Sequence, residues 1–161
     1  DRQGIDHYLV EIGGEFRARG TSAAGRPWRV AIERPVEGRR ILGETVVLGN
    51  RAIATSGTTK DFFEQDGRRY SHAIDPTLAR PVEHPPMAVT VVADTAMEAD
   101  GWATALLVLG PERGYSLAQA RGLERVILGR LQAERGDVDG AVGTQQLQQV
   151  VPRVHAARLR W

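Results

Sequence analysis

An α+β domain, with a mostly antiparallel sheet and a helical pair packed on one face, is the fold class that this sequence predicts. Three observations predict it. Short β-rich runs punctuated by glycine turns occupy the chain before Thr95. The apolar period then switches from that of a strand to that of a helix. Gly110-Pro111 finally divides the Ala/Leu-rich stretch into two helical segments.

The elements follow in order. Tyr8–Ile12 is a short strand that stops at Gly13-Gly14, residues that accept backbone angles others avoid. Trp28–Glu33 sets Trp28, Val30 and Ile32 against Arg29, Ala31 and Glu33, the alternation of a half-buried strand. With Gly20–Pro27 as a hairpin-type loop between them, these two strands are expected to be antiparallel neighbours. Pro35–Arg40 reads as a charged turn. Thr45–Leu48 and Ala52–Thr55 read as strands separated by Gly49-Asn50.

Lys60–Gln65 reads as one or two helical turns. Asp66-Gly67 is a hairpin signal, with Arg68–Ile74 as the return strand and Asp75-Pro76 as its end. Residues 77–87 contain Pro81, Pro85 and Pro86 and read as an extended loop. Ala88–Ala93 is a continuous buried strand. Thr95 and Glu98 form a capping box for a helix running to Leu109 and stopped by Gly110. Pro111 opens a second helix that ends near Gly122. Leu123–Leu131 fits a strand or a short helix. Gln145–Val151 reads as helical, broken by Pro152.

Composition bounds the function. The 161 residues suit one domain. A net charge of +1 argues against a general nucleic-acid binder. Lys60 is the only lysine, and the arginines are scattered, which reads as genome composition rather than as a phosphate-binding cluster. The absence of cysteine removes disulfides, thiolate metal sites, iron–sulfur clusters and a cysteine nucleophile. No apolar run approaches the length of a membrane-spanning helix. No secretory signal is expected at the start, and the chain is expected to be processed or cut from something longer.

Chemistry concentrates at few places. Asp100 and Thr104 stand at i and i+4 and share one helix face. A carboxylate and a hydroxyl are hard oxygen donors of the kind that magnesium or calcium takes, and a poor set for zinc. The competing reading is a solvated aspartate and a threonine bonded back to its own helix. Gly101-Trp102 interrupts the Ala/Leu pattern, and a helix-interior glycine suggests close approach of another group. His72, at the end of the return strand, is either a general base or a structural histidine. Gly13-Gly14-Glu15 and Ala54-Thr55-Ser56-Gly57 put small residues and free N–H groups at strand ends, where an anion can be received or where an ordinary turn can form. Neither has the spacing of a P-loop or a Rossmann turn, and Ser56 has no evident His/Asp partners for a serine hydrolase.

Four segments in register change these odds: LVEIGGE (Leu9–Glu15), AIATSG (Ala52–Gly57), DGRRYSHAIDP (Asp66–Pro76) and ADGWATALLVLG (Ala99–Gly110). Their order and spacing resemble the C-terminal half of the ApbE family, the FAD:protein FMN transferases. The likeness covers residues 5–131 and leaves residues 132–161 as a poorly matched tail. It implies an ApbE-like, T-fold-related architecture. It implies a magnesium-dependent enzyme that splits FAD, joins the FMN phosphate to a threonine or serine of a target protein, and releases AMP. It also implies a bacterial, exported protein, often a lipoprotein, on the periplasmic side of the inner membrane. Expected acceptors are subunits of Nqr- and Rnf-type membrane redox complexes and regulators of nitrous oxide respiration.

Residue by residue, the resemblance implies that Asp100 and Thr104 of the ADxxAT motif bind magnesium. His72 of the SHxIDP motif becomes the catalytic acid/base. Gly13, Gly14, Glu15, Thr55, Ser56, Gly57 and Asp75 become lining of the flavin-nucleotide cleft. Two departures stand out. The family loop after Asp-Pro carries Thr-Gly where this chain has Leu78-Ala79. The family's N-terminal half, with its export signal and much of the flavin surface, is expected to lie outside this chain. The alternatives are a non-catalytic module, an FAD-binding protein, and an FAD hydrolase of the same fold. Whether the edge of the sheet is covered by more chain or by a second copy in a homodimer stays open.

Overall fold

The computed structural model of the chain describes residues 3–36, 39–58, 62–84, 87–130 and 148–150. β1 (Tyr8–Ile12) and β2 (Glu15–Arg19) form a hairpin closed by Gly13-Gly14. Ile12 pairs with Glu15, so the loop has two residues, and both glycines take positive φ, 68° and 104°. Such a turn matches the natural twist of the flanking strands, and it needs residues that tolerate this region. β3 (Arg29–Val36) and β4 (Arg39–Val47) make a separate ribbon, with a register shift between Ala31 and Glu33. β5 is Ala52–Gly57.

β6 (Phe62–Gln65) and β7 (Arg68–Ser71) form a second tight hairpin over Asp66-Gly67, where φ is 52° and 71°. β8 (Ile74–Asp75) and β9 (Arg80–Pro81) make a minimal pair. β10 (Met87–Ala93) leads into α1 (Ala96–Ala120), followed by β11 (Arg125–Arg130) and β12 (Gln148–Val150). Six strands build one antiparallel sheet in the order β1-β2-β5-β10-β11-β12.

Alternation assigns the two faces of that sheet. Met87, Val89, Val91, Val126 and Leu128 cluster with Ala103, Leu106, Leu107 and Ala118 of α1. Ala52 and Ala54 of β5 meet Ala99 on the same face. On the opposite face Ile53, Val92, Ile127 and Ala18 pack with Val46, Leu48, Trp28, Val30 and Ile32. The sheet is therefore a middle layer between a helical layer and the β3–β4 ribbon.

The helical layer is bent. Thr95 Oγ1 accepts the Glu98 N–H at 3.2 Å and Glu98 Oε2 accepts the Thr95 N–H at 3.2 Å, a complete capping box. Gly110 interrupts the element at φ 77°, ψ 178°, a region that essentially only glycine occupies. A straight helix would put residues eight apart about 12 Å from one another. A Cβ on Gly114 would instead lie 2.8 Å from the Leu106 carbonyl oxygen. The two segments thus fold sharply at Gly110, which gives the expected helical pair within one element. Pro111 has no N–H for the Leu107 carbonyl, and His84 supplies the donor from Nε2 at 2.7 Å. At the far end Leu123 N–H bonds Ala118 O and Gly122 N–H bonds Gln119 O, both at 3.0 Å, with Gly122 at φ 62°. This is a Schellman stop.

Several sequence expectations are corrected. β1 pairs with β2 rather than with the Trp28 strand, because the Gly13-Gly14 turn closes first. The three charges of EFRAR hid an alternation in which only Phe16 and Ala18 face the ribbon. Pro35–Arg40 is not simply a turn: Pro35 pairs with Arg40, in a ribbon whose edges tolerate proline. Phe62–Gln65 is a strand rather than helical turns, as the Asp66-Gly67 hairpin requires; residues 59–61 lie outside the described residues. The return strand ends at Ser71, whose Oγ accepts the Ala73 N–H at 3.1 Å and replaces the ladder with a local turn. The loop at 77–87 contains β9 and the start of β10. Leu123–Leu131 resolves to a strand from Arg125. Of the stretch 145–151 read as helical, Gln148–Val150 is a strand added to β11, and residues 145–147 and 151–161 lie outside the described residues.

Candidate active site

Ser56 and Thr104 are brought together across two elements. β10 fixes β5 in register, pairing Val89 with Ser56 and Ala88 with Gly57. The next residue, Thr58, is buried and clamped to Met87: its N–H bonds Met87 O at 3.1 Å and its Oγ1 accepts the Met87 N–H at 3.1 Å. Ser56 alternates onto the helix face with Ala52 and Ala54. Its Oγ lies 3.0 Å from Thr104 Oγ1. Asp100, one turn earlier on α1, is exposed like Thr104, at the rim of the buried Ala99–Ala103–Leu107 stripe.

This donor set is one carboxylate and two hydroxyls, all hard oxygens. Among the described residues no three His, Cys, Asp or Glu side chains gather to hold a metal. Such a sparse oxygen set fits magnesium, which keeps waters and leans on substrate phosphates, better than a caged calcium or a nitrogen/sulfur-bound metal. Gly101 stands beside it with no atom within 4 Å of where a Cβ would be. The close approach expected there is not made by any of the described residues.

His72 lies in the bend between β7 and β8, exposed, rather than on the strand itself. Its neighbours fix the backbone. Ser71 is buried and closes the local turn. Ala73 is buried among Ala103, Leu106 and Leu107, and its carbonyl accepts the Val82 N–H at 3.0 Å. The bend is thereby anchored on the helix that carries Asp100 and Thr104. Asp75 Oδ1 accepts the N–H groups of Thr77 at 2.8 Å and Leu78 at 3.3 Å. That Asx turn shapes the loop after the histidine. In the loop, Ala79 takes φ 52°, at the position where the family pattern has glycine.

The other expected residues divide. The Gly13-Gly14 turn and the end of β5 lie at the same end of the sheet, because Phe16 pairs with Ile53 in antiparallel register. Phe16 faces the ribbon, so Glu15 alternates onto the Ser56 face. A Cβ on Gly13 would fall 2.9 Å from Glu15 Oε2. The Gly14 N–H is already used by Glu11 Oε1 at 2.8 Å. Thr55 is not brought to Ser56: it alternates to the ribbon face, and its Oγ1 lies 2.8 Å from that of Thr90. Two further histidines have structural roles. His7 Nδ1 accepts the Thr21 N–H at 2.9 Å, and His84 serves the helix bend. His155 lies outside the described residues.

The ApbE family model matches residues 1–127. The chain belongs to the ApbE family. It is 52% identical over 118 residues to an FAD:protein FMN transferase of Vibrio cholerae, covering 73% of this chain and 35% of that protein. It is 44% identical over 123 residues to the FAD:protein FMN transferase of Escherichia coli, covering 76% of this chain and 35% of that protein. Among solved structures, the flavin transferase ApbE from Vibrio cholerae superposes with a TM-score of 0.68 at 47% identity, over 80% of this chain and 40% of that one. An ApbE protein of Thermotoga maritima gives 0.63 at 28% identity, over 75% and 39%. The chain spans about a third of the length of these curated relatives.

Proposed function

We propose that this chain carries the cation-holding and histidine-bearing part of a magnesium-dependent FAD:protein FMN transferase. The observation that carries the reading is the convergence of Ser56, Thr104 and Asp100 on one rim of α1, with the bend bearing His72 anchored on the same helix. The family membership and the names of the relatives support the reaction class.

Asp100 and Thr104 would hold the cation. Magnesium held there would supply positive charge to offset that of the FAD pyrophosphate. His72 accepts the proton of a threonine or serine hydroxyl on the acceptor protein. That oxygen bonds to the phosphorus of the FMN half, the P–O bond to the adenylate half breaks, and AMP leaves with the bridging oxygen. Glu15 and the Gly13-Gly14 turn, at the same sheet end, line the approach to the nucleotide. Nqr- and Rnf-type subunits, or regulators of nitrous oxide respiration, are the acceptors this reading proposes, met on the periplasmic side of the inner membrane.

The test incubates the chain with FAD, magnesium and a flavin-accepting Nqr-type subunit. Flavin fluorescence on the denatured acceptor, with equimolar AMP and abolition by a chelator, is the expected result. AMP without a labelled acceptor would make the chain a hydrolase. Neither AMP nor label would overturn the reading for this chain.

A further inference from the structure

We propose that Ser56 is a positioning residue that aims the Thr104 hydroxyl at the cation. The inference rests on the reading of Asp100 and Thr104 as a cation site.

A threonine inside a helix has a default partner. Its Oγ1 turns back to the carbonyl one turn earlier, as helical serine and threonine commonly do. Ser116 of the same element does this, donating to Glu112 O at 3.0 Å. Thr104 does not: its Oγ1 meets Ser56 Oγ at 3.0 Å, across from β5. The hydroxyl is thereby held away from its own helix, on the exposed rim beside Asp100.

Direction follows from charge. A hydroxyl that offers a lone pair to a cation must send its proton away from that cation. Ser56 Oγ, 3.0 Å away, is placed to accept it. Ser56 then has its own proton to give outward, toward an anionic oxygen such as a phosphate next to the cation. Each bond in such a chain polarises the next. The support beneath Ser56 is stiff, since β5 is paired on the β10 side through Ser56–Val89 and Gly57–Ala88, and Thr58 is clamped to Met87. Thr55 cannot take the role, because it lies on the other face with Thr90.

Outer partners of metal ligands are worth about 10–100-fold in metal affinity. The experiment titrates the 161-residue chain with Mn²⁺, reading the free ion by its electron paramagnetic resonance signal, and displaces it with Mg²⁺. Four proteins are compared: wild type, Ser56→Ala, Ser56→Thr and Asp100→Ala. Ser56→Ala is expected to weaken Mn²⁺ and Mg²⁺ binding by about tenfold or more. Ser56→Thr, which keeps the hydroxyl, is expected to restore most of that affinity. The urea midpoint of the cation-free protein is expected to stay put in both. Binding by Ser56→Ala equal to wild type, with binding lost in Asp100→Ala, rejects the Ser56 assignment alone. Equal weakening in Ser56→Thr, or a fall in the cation-free midpoint that tracks the affinity loss, also rejects it, because distortion would then explain the effect. No binding by the wild-type chain rejects the cation site itself, and the role of Ser56 with it.

Discussion

Three glycines of α1 should respond to alanine with different signs. Gly101 is exposed, helical and faces open space. Gly101→Ala therefore removes only the conformational cost of glycine and should stabilise the chain by about 0.5–1 kcal/mol. Gly114 gains the same propensity term. Its new Cβ, however, would sit 2.8 Å from the Leu106 carbonyl oxygen and 3.5 Å from its carbon. Backbone cannot rotate out of the way as a side chain would, and overpacking of this kind costs about 1–3 kcal/mol. The propensity term cancels in the comparison, so Gly114→Ala should fall about 1–3 kcal/mol below Gly101→Ala. In a domain of this size each kcal/mol moves Tm by about 2–4 °C. Gly110 is not helical at all, so its alanine variant gains nothing and takes on backbone strain of about 1–3 kcal/mol. It also presses a Cβ to 3.2 Å from His84 Cδ2, against the ring that serves the Leu107 carbonyl. Urea midpoints at constant m-value and thermal melts read all three. If Gly114→Ala raises the midpoint as much as Gly101→Ala does, the fold-back of the two helical segments is refuted.

Four further outcomes are expected. Asp100→Ala should abolish Mg²⁺ binding in a calorimetric titration while changing stability by less than about 0.5 kcal/mol, since the side chain is exposed. His72→Ala should leave that titration unchanged and stop flavin labelling of the acceptor; a full labelling rate would remove His72 from the chemistry. Ala79→Gly should stabilise the chain by about 0.5–1 kcal/mol, because φ 52° strains alanine more than glycine loses in unfolded-state entropy. Thr95→Ala should cost about 1 kcal/mol in a urea melt through loss of the capping box.

The parts of the fold legible in the sequence were those fixed by local chemistry. Gly13-Gly14, Asp66-Gly67, the Thr95/Glu98 box, Gly110-Pro111 and Gly122 all act where they stand, because each sets backbone angles or caps a terminus without help from distant residues. Pairing was less legible. The ribbon of β3 and β4 lies across the face opposite α1, and only the packing of Trp28, Val30 and Ile32 against Val46 and Leu48 reveals it. Nothing local in Trp28–Glu33 says which strand it will meet. Phe62–Gln65 has every residue exposed, so no buried face imposed a period on it. Its pairing with β7 rests on the turn alone.

The candidate site shows the same division, and it shows what one residue of register is worth. Spacing alone put Asp100 and Thr104 on one helix face, and the motif put Ser56 and Thr55 side by side as cleft residues. A strand sends neighbours to opposite faces. β5 therefore delivers Ser56 to Thr104 and Thr55 to Thr90, and which of the two joins the site depends on the register that β10 imposes. A slip of one residue would turn Ser56 to the ribbon face, away from Thr104. The buried clamp of Thr58 on Met87 opposes that slip, since moving β5 by one place would strand a buried hydroxyl and three backbone groups at a cost of about 1–3 kcal/mol for each. The residue that holds the site in register is thus one that touches none of its chemistry.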